Sequence, residues 1–192
     1  MSNIIFTLQD FLHTPGLLTL VLKSGYSDCE NWFRRTFPAG IAAISDITSA
    51  LNIEAGCSLP YNLSYYYDET KNILAVFNRD GVADYCEENG IDIEDFNIKV
   101  IIVGNQINFS NLLKDCYKFN QAIDVPSTVK NARAMFSGCT SLNSPVTLHE
   151  GLENATAMFE DCSEFNQPLY RPSTLIKMDH MFEGADNFKQ SF

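Results

Sequence analysis

A spacing of 23 residues in the second half of this chain restricts its fold more than any other feature. Met-Phe pairs fall at Met135-Phe136, Met158-Phe159 and Met181-Phe182, and a step back of 23 reaches the apolar pair Leu112-Leu113. The units read LLKDCYKFNQAI from Leu112, MFSGCTSLNSPV from Met135, MFEDCSEFNQPL from Met158 and MFEGADNFKQSF from Met181. Cysteine recurs at Cys116, Cys139 and Cys162, and asparagine at Asn120, Asn143 and Asn166. Large apolar residues recur at Phe119, Leu142, Phe165 and Phe188, followed in register by Ile123, Val146, Leu169 and Phe192. Phe96-Asn97 precedes Phe119-Asn120 by the same interval. Self-similarity at such a period marks a chain whose units bury their apolar faces against one another.

Read position by position, each unit predicts a short helix through runs such as NARAMF or NATAMF. Gly138 and Gly184, with Asp115 and Asp161 at the equivalent places, suit a left-handed residue closing that helix. The segments QAIDV, SPVTL and QPLYR then predict one short strand per unit, stacking in parallel, with Pro126, Pro145, Pro168 and Pro172 at strand edges and turns. Neighbouring units would lie ~5 Å apart along such a stack. The cysteine column then reads as a packed ladder of small groups, and the asparagine column as satisfaction of turn backbone. None of the three repeat cysteines has the C-x-x-C spacing of a zinc site.

The pattern M-F-x-x-C-x-x-F-N-Q-x-L, fitted nearly throughout by Met158–Leu169, resembles the BspA-like leucine-rich repeat family. The resemblance covers residues 96–192 and implies a curved solenoid with adhesion or protein binding as its usual role; it supplies no catalytic residues. Family members are often long and exported, whereas this sequence shows about four units and no export signal. Ala185 and Lys189 replace the cysteine and asparagine in the last unit. The fold class expected is therefore α/β: a leucine-rich-repeat solenoid of about four 23-residue units, with parallel strands plus short helices. A small mixed α/β acidic domain over residues 1–95 would cap it, and residues 96–192 would form the array.

Within residues 1–95, CENWFRRTF and GIAAISDITSALN have helical spacing around Pro38-Ala39-Gly40. LSYYYDETKNILAVFN reads as a hairpin, and RDGVADYCEENG as a short acidic helix ending at Gly90. NIKVIIV follows as the first strand of the array.

Charge is uneven. The net charge is −11; residues 1–95 hold 14 acids and 5 bases, and residues 96–192 hold 10 acids and 8 bases. Seven acids, Asp80, Asp84, Glu87, Glu88, Asp92, Glu94 and Asp95, fall between Asp80 and Asp95 without a Lys or Arg among them. Phosphate backbones are bound by basic side chains, so direct nucleic-acid binding is not expected. The acidic run reads first as a solvated helix face, and alternatively as a surface for a basic partner. No stretch approaches the 18 apolar residues of a membrane span, and the N-terminus lacks a basic n-region. The cytoplasm is expected by default, or the host cytoplasm for a phage-encoded chain; a cell-surface role stays open.

His13, His149 and His180 are scattered, and no H-E-x-x-H, G-x-S-x-G, Walker loop or G-x-G-x-x-G occurs. No enzyme, metal site or cofactor is expected, and Cys29, Cys57 and Cys86 read as inert thiols. Asn62, Asn108 and Asn154 head glycosylation triplets that carry little weight without a signal peptide. The leading expectation is a non-enzymatic protein-binding module. Strand alternation would turn Ile101, Asp124, Thr147 and Tyr170 outward, beside Lys99, Ala122, Pro145 and Pro168. Lys99, Ile101, Asp124, Thr147 and Tyr170 are the partner-binding candidates, with Tyr170 and Ile101 as anchors. The second expectation is a small acidic inhibitor of phage type, directed at a host nucleic-acid or defence enzyme through the Asp80–Asp95 surface. A fragment of a surface adhesion protein is a further alternative. The bare C-terminal edge leaves self-association open.

Overall fold

Apolar residues on both faces of Ile73–Val76 require a central strand, and the computed structural model places it there. The structure describes residues 5–6, 57–58, 64–68, 72–102 and 106–192. Strand β1 (Ile5–Phe6) pairs antiparallel with β2 (Cys57–Ser58). Strand β3 (Tyr65–Asp68) pairs antiparallel with β4 (Ile73–Val76), as the two β-rich runs predict. The two helical runs expected around Pro38 lie outside the described residues.

Helix α1 (Gly81–Asn89) follows β4 and buries Val82, Tyr85 and Cys86, the i, i+3, i+4 face of an amphipathic helix. Gly90, at φ 64°, closes it by turning its N–H onto the Cys86 and Glu87 carbonyls. A 3-10 turn at Ile93–Asp95 leads to β5 (Lys99–Ile102), which runs parallel to β4 with Lys99 opposite Ile73. This sheet straddles residue 95. One apolar cluster also continues across it, from Leu74 to Met181. Tyr85 joins the two stretches: its ring lies 5.0 Å from Tyr67 and 6.2 Å from Phe96, and Phe96 stacks 6.2 Å from Phe119.

Beyond residue 106 the chain forms hydrogen-bonded rows. The N–H groups of Phe109, Asn111, Leu113 and Asp115 donate to the carbonyls of Asn131, Arg133, Met135 and Ser137. Ala132, Ala134, Phe136 and Gly138 donate in the same way to Asn154, Thr156, Met158 and Glu160. Ala155, Ala157, Phe159 and Asp161 donate to Lys177, Asp179, Met181 and Glu183. Phe136 and Phe159, both fully buried, stack at 5.3 Å, and Phe159 and Phe182 at 5.6 Å. Strand β6 (Ile123–Asp124) pairs parallel with β7 (Val146–Thr147) on another side of the rows.

The α/β leucine-rich-repeat solenoid expected from the sequence is not the class found. Among the described residues α1 is the single α-helix, and the runs through NARAMF and NATAMF are successive turns. Among the described residues, parallel strand pairing is limited to β4–β5 and the two-residue strands β6–β7, beside isolated parallel bridges Asn108–Asn131, Asn131–Asn154 and Asn154–Lys177, and the strand expected at QPLYR is absent. The physical cause lies in the backbone. Ala134 and Ala157 sit at φ 49° and 55°, and Asn111 and His180 at 63° and 56°, so a left-handed residue interrupts each would-be helix. Alternate N–H groups then donate to the next row instead of to the carbonyl four residues back. At QPLYR, Pro168 and the nearby Pro172 lack N–H groups to donate to a ladder.

The left-handed residues expected at 115, 138, 161 and 184 are present, at φ 61°, 80°, 57° and 72°. Their alternation, Asp, Gly, Asp, Gly, has a steric basis. A Cβ at Gly138 would lie 2.6 Å from the Asp115 Oδ1, so the carboxylate of one row occupies the space over the next.

Candidate interaction surface

On β5, β6 and β7 the side chains alternate as strand geometry dictates. Val100, Ile102, Ile123, Val125, Val146 and Leu148 are buried, whereas Lys99, Asp124 and Thr147 are exposed and Ile101 is half-buried. Asp124 and Thr147 are register partners across β6 and β7, and β5 lies beside β6. Tyr170, 23 residues beyond Thr147, is 56% exposed, more than Tyr117, the other exposed tyrosine among the described residues.

The polar groups here hold one another. The His149 Nε2 lies 2.6 Å from the Asp124 Oδ1. The Tyr170 hydroxyl donates to the Glu150 Oε1, and the Ser173 N–H and hydroxyl donate to the same carboxylate at 3.0 and 2.8 Å. The Ser173 N–H does most to pull the Glu150 carboxyl down to about 2, with the Tyr170 and Ser173 hydroxyls adding to it. Acceptance by Glu150 in turn raises the Tyr170 phenol. A phenol tied in this way keeps an exposed ring in a restricted orientation, which lowers the ordering cost of using it as a contact. His149, Glu150 and Ser173 were missed in the sequence because each looks isolated there. The period itself could have found Glu150 and Ser173, which are 23 residues apart, whereas Asp124 and His149, 25 apart, fall off it.

The seven acids of 80–95 are unequal. Asp80 lies 3.6 Å from the Arg79 Nε, and Asp95 pairs with Lys118 at 2.7 Å. The Asp92 carboxylate accepts the Glu94 N–H and caps the 3-10 turn. Glu88 accepts the Tyr65 hydroxyl; burial first, and then Glu88, push that phenol up to about 12. Asp84, Glu87 and Glu94 are the members whose side chains have no such partner among the described residues.

The two periodic polar columns work inside the fold. The Asn97 Oδ1 accepts the Asn120 N–H at 3.0 Å, and Asn120, Asn143 and Asn166 repeat the contact to Asn143, Asn166 and Lys189. The Cys139 and Cys162 thiols donate to the Leu113 and Phe136 carbonyls at 3.1 and 3.0 Å. Burial pushes the Cys162 thiol up to about 12 and raises Cys116 and Cys139 strongly as well, so these are packed, unreactive groups. Among the described residues, no cluster of three or more His, Cys, Asp or Glu could hold a metal ion. No described helix is long and apolar enough to cross a membrane.

The described fold is thus a stack of turns, fastened by backbone bonds and asparagine side chains, that presents a patterned polar and aromatic face. The chain belongs to the family described as Mycoplasma protein of unknown function, DUF285, whose model matches residues 82–192. That match takes in nearly all of α1, β5 and every row. No curated protein and no solved structure matches the chain.

Proposed function

We propose that this protein is a non-enzymatic binding module that holds another protein on the face carrying Lys99, Ile101, Asp124, Thr147 and Tyr170. The observation that carries this reading is the exposed Tyr170, oriented through Glu150 and set near exposed charged and polar groups on rows with a fully buried interior. Exposed aromatic anchors surrounded by satisfied polar groups are what protein interfaces use for most of their energy. Lys99 and Asp124 offer opposite charges to a partner, which favours a polar, mixed-charge surface on the other side. The likeness of Met158–Leu169 to BspA-like proteins, with their adhesive or protein-binding role, supports the same reading.

The test is capture of a partner from an extract of the native host, comparing the wild type with Tyr170→Ala combined with Asp124→Lys. Loss of the captured protein from the double variant, with unchanged circular dichroism, is the expected result. Undiminished capture would show that another face is used.

A further inference from the structure

Ile107, Lys130, Glu153 and Ile176 share one position of the 23-residue register, and backbone bonds hold them in line. The Lys130 and Asn131 N–H groups both donate to the Ile107 carbonyl, those of Glu153 and Asn154 to Lys130, and those of Ile176 and Lys177 to Glu153. At a row spacing of ~5 Å the column is about 15 Å long. Lys130 and Glu153 form an ion pair at its centre, at 2.7 Å. These two have a row on either side, yet their side chains are 51% and 47% exposed, so the column faces outward within the stack itself.

Ile107 and Ile176 flank the ion pair, and they are the large aliphatic side chains left exposed among the described residues, at 54% and 72%. A single exposed isoleucine is ordinary. Two at one register position, set on either side of an ion pair, make a pattern: apolar, positive, negative, apolar. Read in reverse, the column is apolar, negative, positive, apolar. Two copies related by a twofold axis through the midpoint of the ion pair therefore set Lys130 of each against Glu153 of the other, and Ile107 of each against Ile176 of the other. Such self-complementarity is what an isologous dimer requires. Each cation then lies between two carboxylates and each carboxylate between two cations. A twofold axis along the stack would instead set Lys130 against Lys130 and Glu153 against Glu153, so charge selects the antiparallel arrangement.

We propose that this column is a self-association surface, on which two copies pair antiparallel through Ile107, Lys130, Glu153 and Ile176. The patch is small beside the ~1,600 Å² of a standard interface, so the dimer is weak and reversible. Lys130, Glu153 and Ile176 each stand six residues beyond Asp124, Thr147 and Tyr170, at a different position of the unit. Either surface can fail without the other.

The test is sedimentation velocity on the full chain over a range of concentrations. The mean mass should rise reversibly with concentration and level off at a dimer. Lys130→Glu and Glu153→Lys, each alone, put like charges opposite one another and should weaken association by about tenfold or more. An exposed ion pair adds little to stability, so both variants should keep the circular dichroism of the wild type. Mixing the two variants should restore the dimer, because the paired carboxylates of one then face the paired ammonium groups of the other. Ile107→Ser combined with Ile176→Ser should weaken association as well. A wild type that stays monomeric at every concentration, or a mass that grows past the dimer, would overturn the proposal. So would variants that associate as well as the wild type, or a mixture that associates no better than its components.

Discussion

Substituting Gly138 by Ala probes the stacking of rows at a single atom. Gly138 has φ 80°, and its missing Cβ would stand 2.6 Å from the Asp115 Oδ1. Placing an L-residue in the left-handed region costs about 1–2 kcal/mol. Displacing the carboxylate adds on the order of 1 kcal/mol, the low end of overpacking costs. Gly138→Ala should therefore destabilise by about 2–3 kcal/mol. In an Asp115→Gly background the carboxylate is gone, and only the left-handed cost of about 1–2 kcal/mol remains. The two substitutions should thus couple by about 1 kcal/mol, as expected for residues in direct contact. Asp115→Gly alone should be close to neutral, because Asp115 itself sits at φ 61° and glycine accepts that conformation freely. Urea unfolding followed by far-UV circular dichroism measures all four corners of the cycle. Equal losses in both backgrounds would refute direct stacking of residue 115 on residue 138, and no loss in either would refute the left-handed assignment as well.

Two further outcomes follow from the internal columns. Asn143→Ala removes the acceptor of the Asn166 N–H and of the Gln167 amide, and should lower stability by about 1 kcal/mol in the same urea assay. Raising the pH should also destabilise the protein, and the sign follows from the thiols. Their folded pKa values are raised, so the stabilisation is complete below the ordinary thiol pKa near 9 and is lost as pH rises through the folded values, about 12 for Cys162. Within that window each of Cys116, Cys139 and Cys162 contributes a slope of about 1.4 kcal/mol per pH unit. Urea midpoints at pH 8, 9 and 10 should fall progressively, with a shallower fall in Cys139→Ala. A flat profile would show that the thiols are not held neutral by burial.

Part of this molecule is plain in its sequence and part is hidden by the same periodicity. The register of 23 residues is present as hydrogen bonds joining Asn120 to Asn143 and Asn143 to Asn166, because an amide at a fixed interval can bond only if the rows align. The α/β class read from that register was wrong, because alanine at positive φ leaves no mark in composition. Ala134 and Ala157 look like good helix formers, yet they are the residues that break the helix and send N–H groups to the next row. The hairpin and α1 were legible because their signals are local: alternating β-formers in one, and an apolar i, i+3, i+4 set closed by Gly90 in the other. On the candidate surface, exposure of Asp124, Thr147 and Tyr170 follows from strand alternation and period. The bonds that orient them do not, since His149 and Glu150 act on residues 20–25 positions away. The acidic run illustrates the same limit. Composition shows seven equivalent acids, whereas the fold ties up Asp80, Glu88, Asp92 and Asp95 and leaves Asp84, Glu87 and Glu94.

The most direct test of the binding role compares two variants against one captured partner. One is Tyr170→Ala with Asp124→Lys on the strand face; the other is Glu87→Lys with Glu94→Lys on the acidic surface. Both pairs are exposed, so neither should disturb the core. Affinity for the partner, measured by calorimetry at physiological ionic strength, should fall at least about tenfold for the first, the loss of one anchoring side chain. It should change little for the second. Unchanged affinity for the strand-face variant, with binding lost on reversal of Glu87 and Glu94, would contradict the account and move the interaction to the acidic surface.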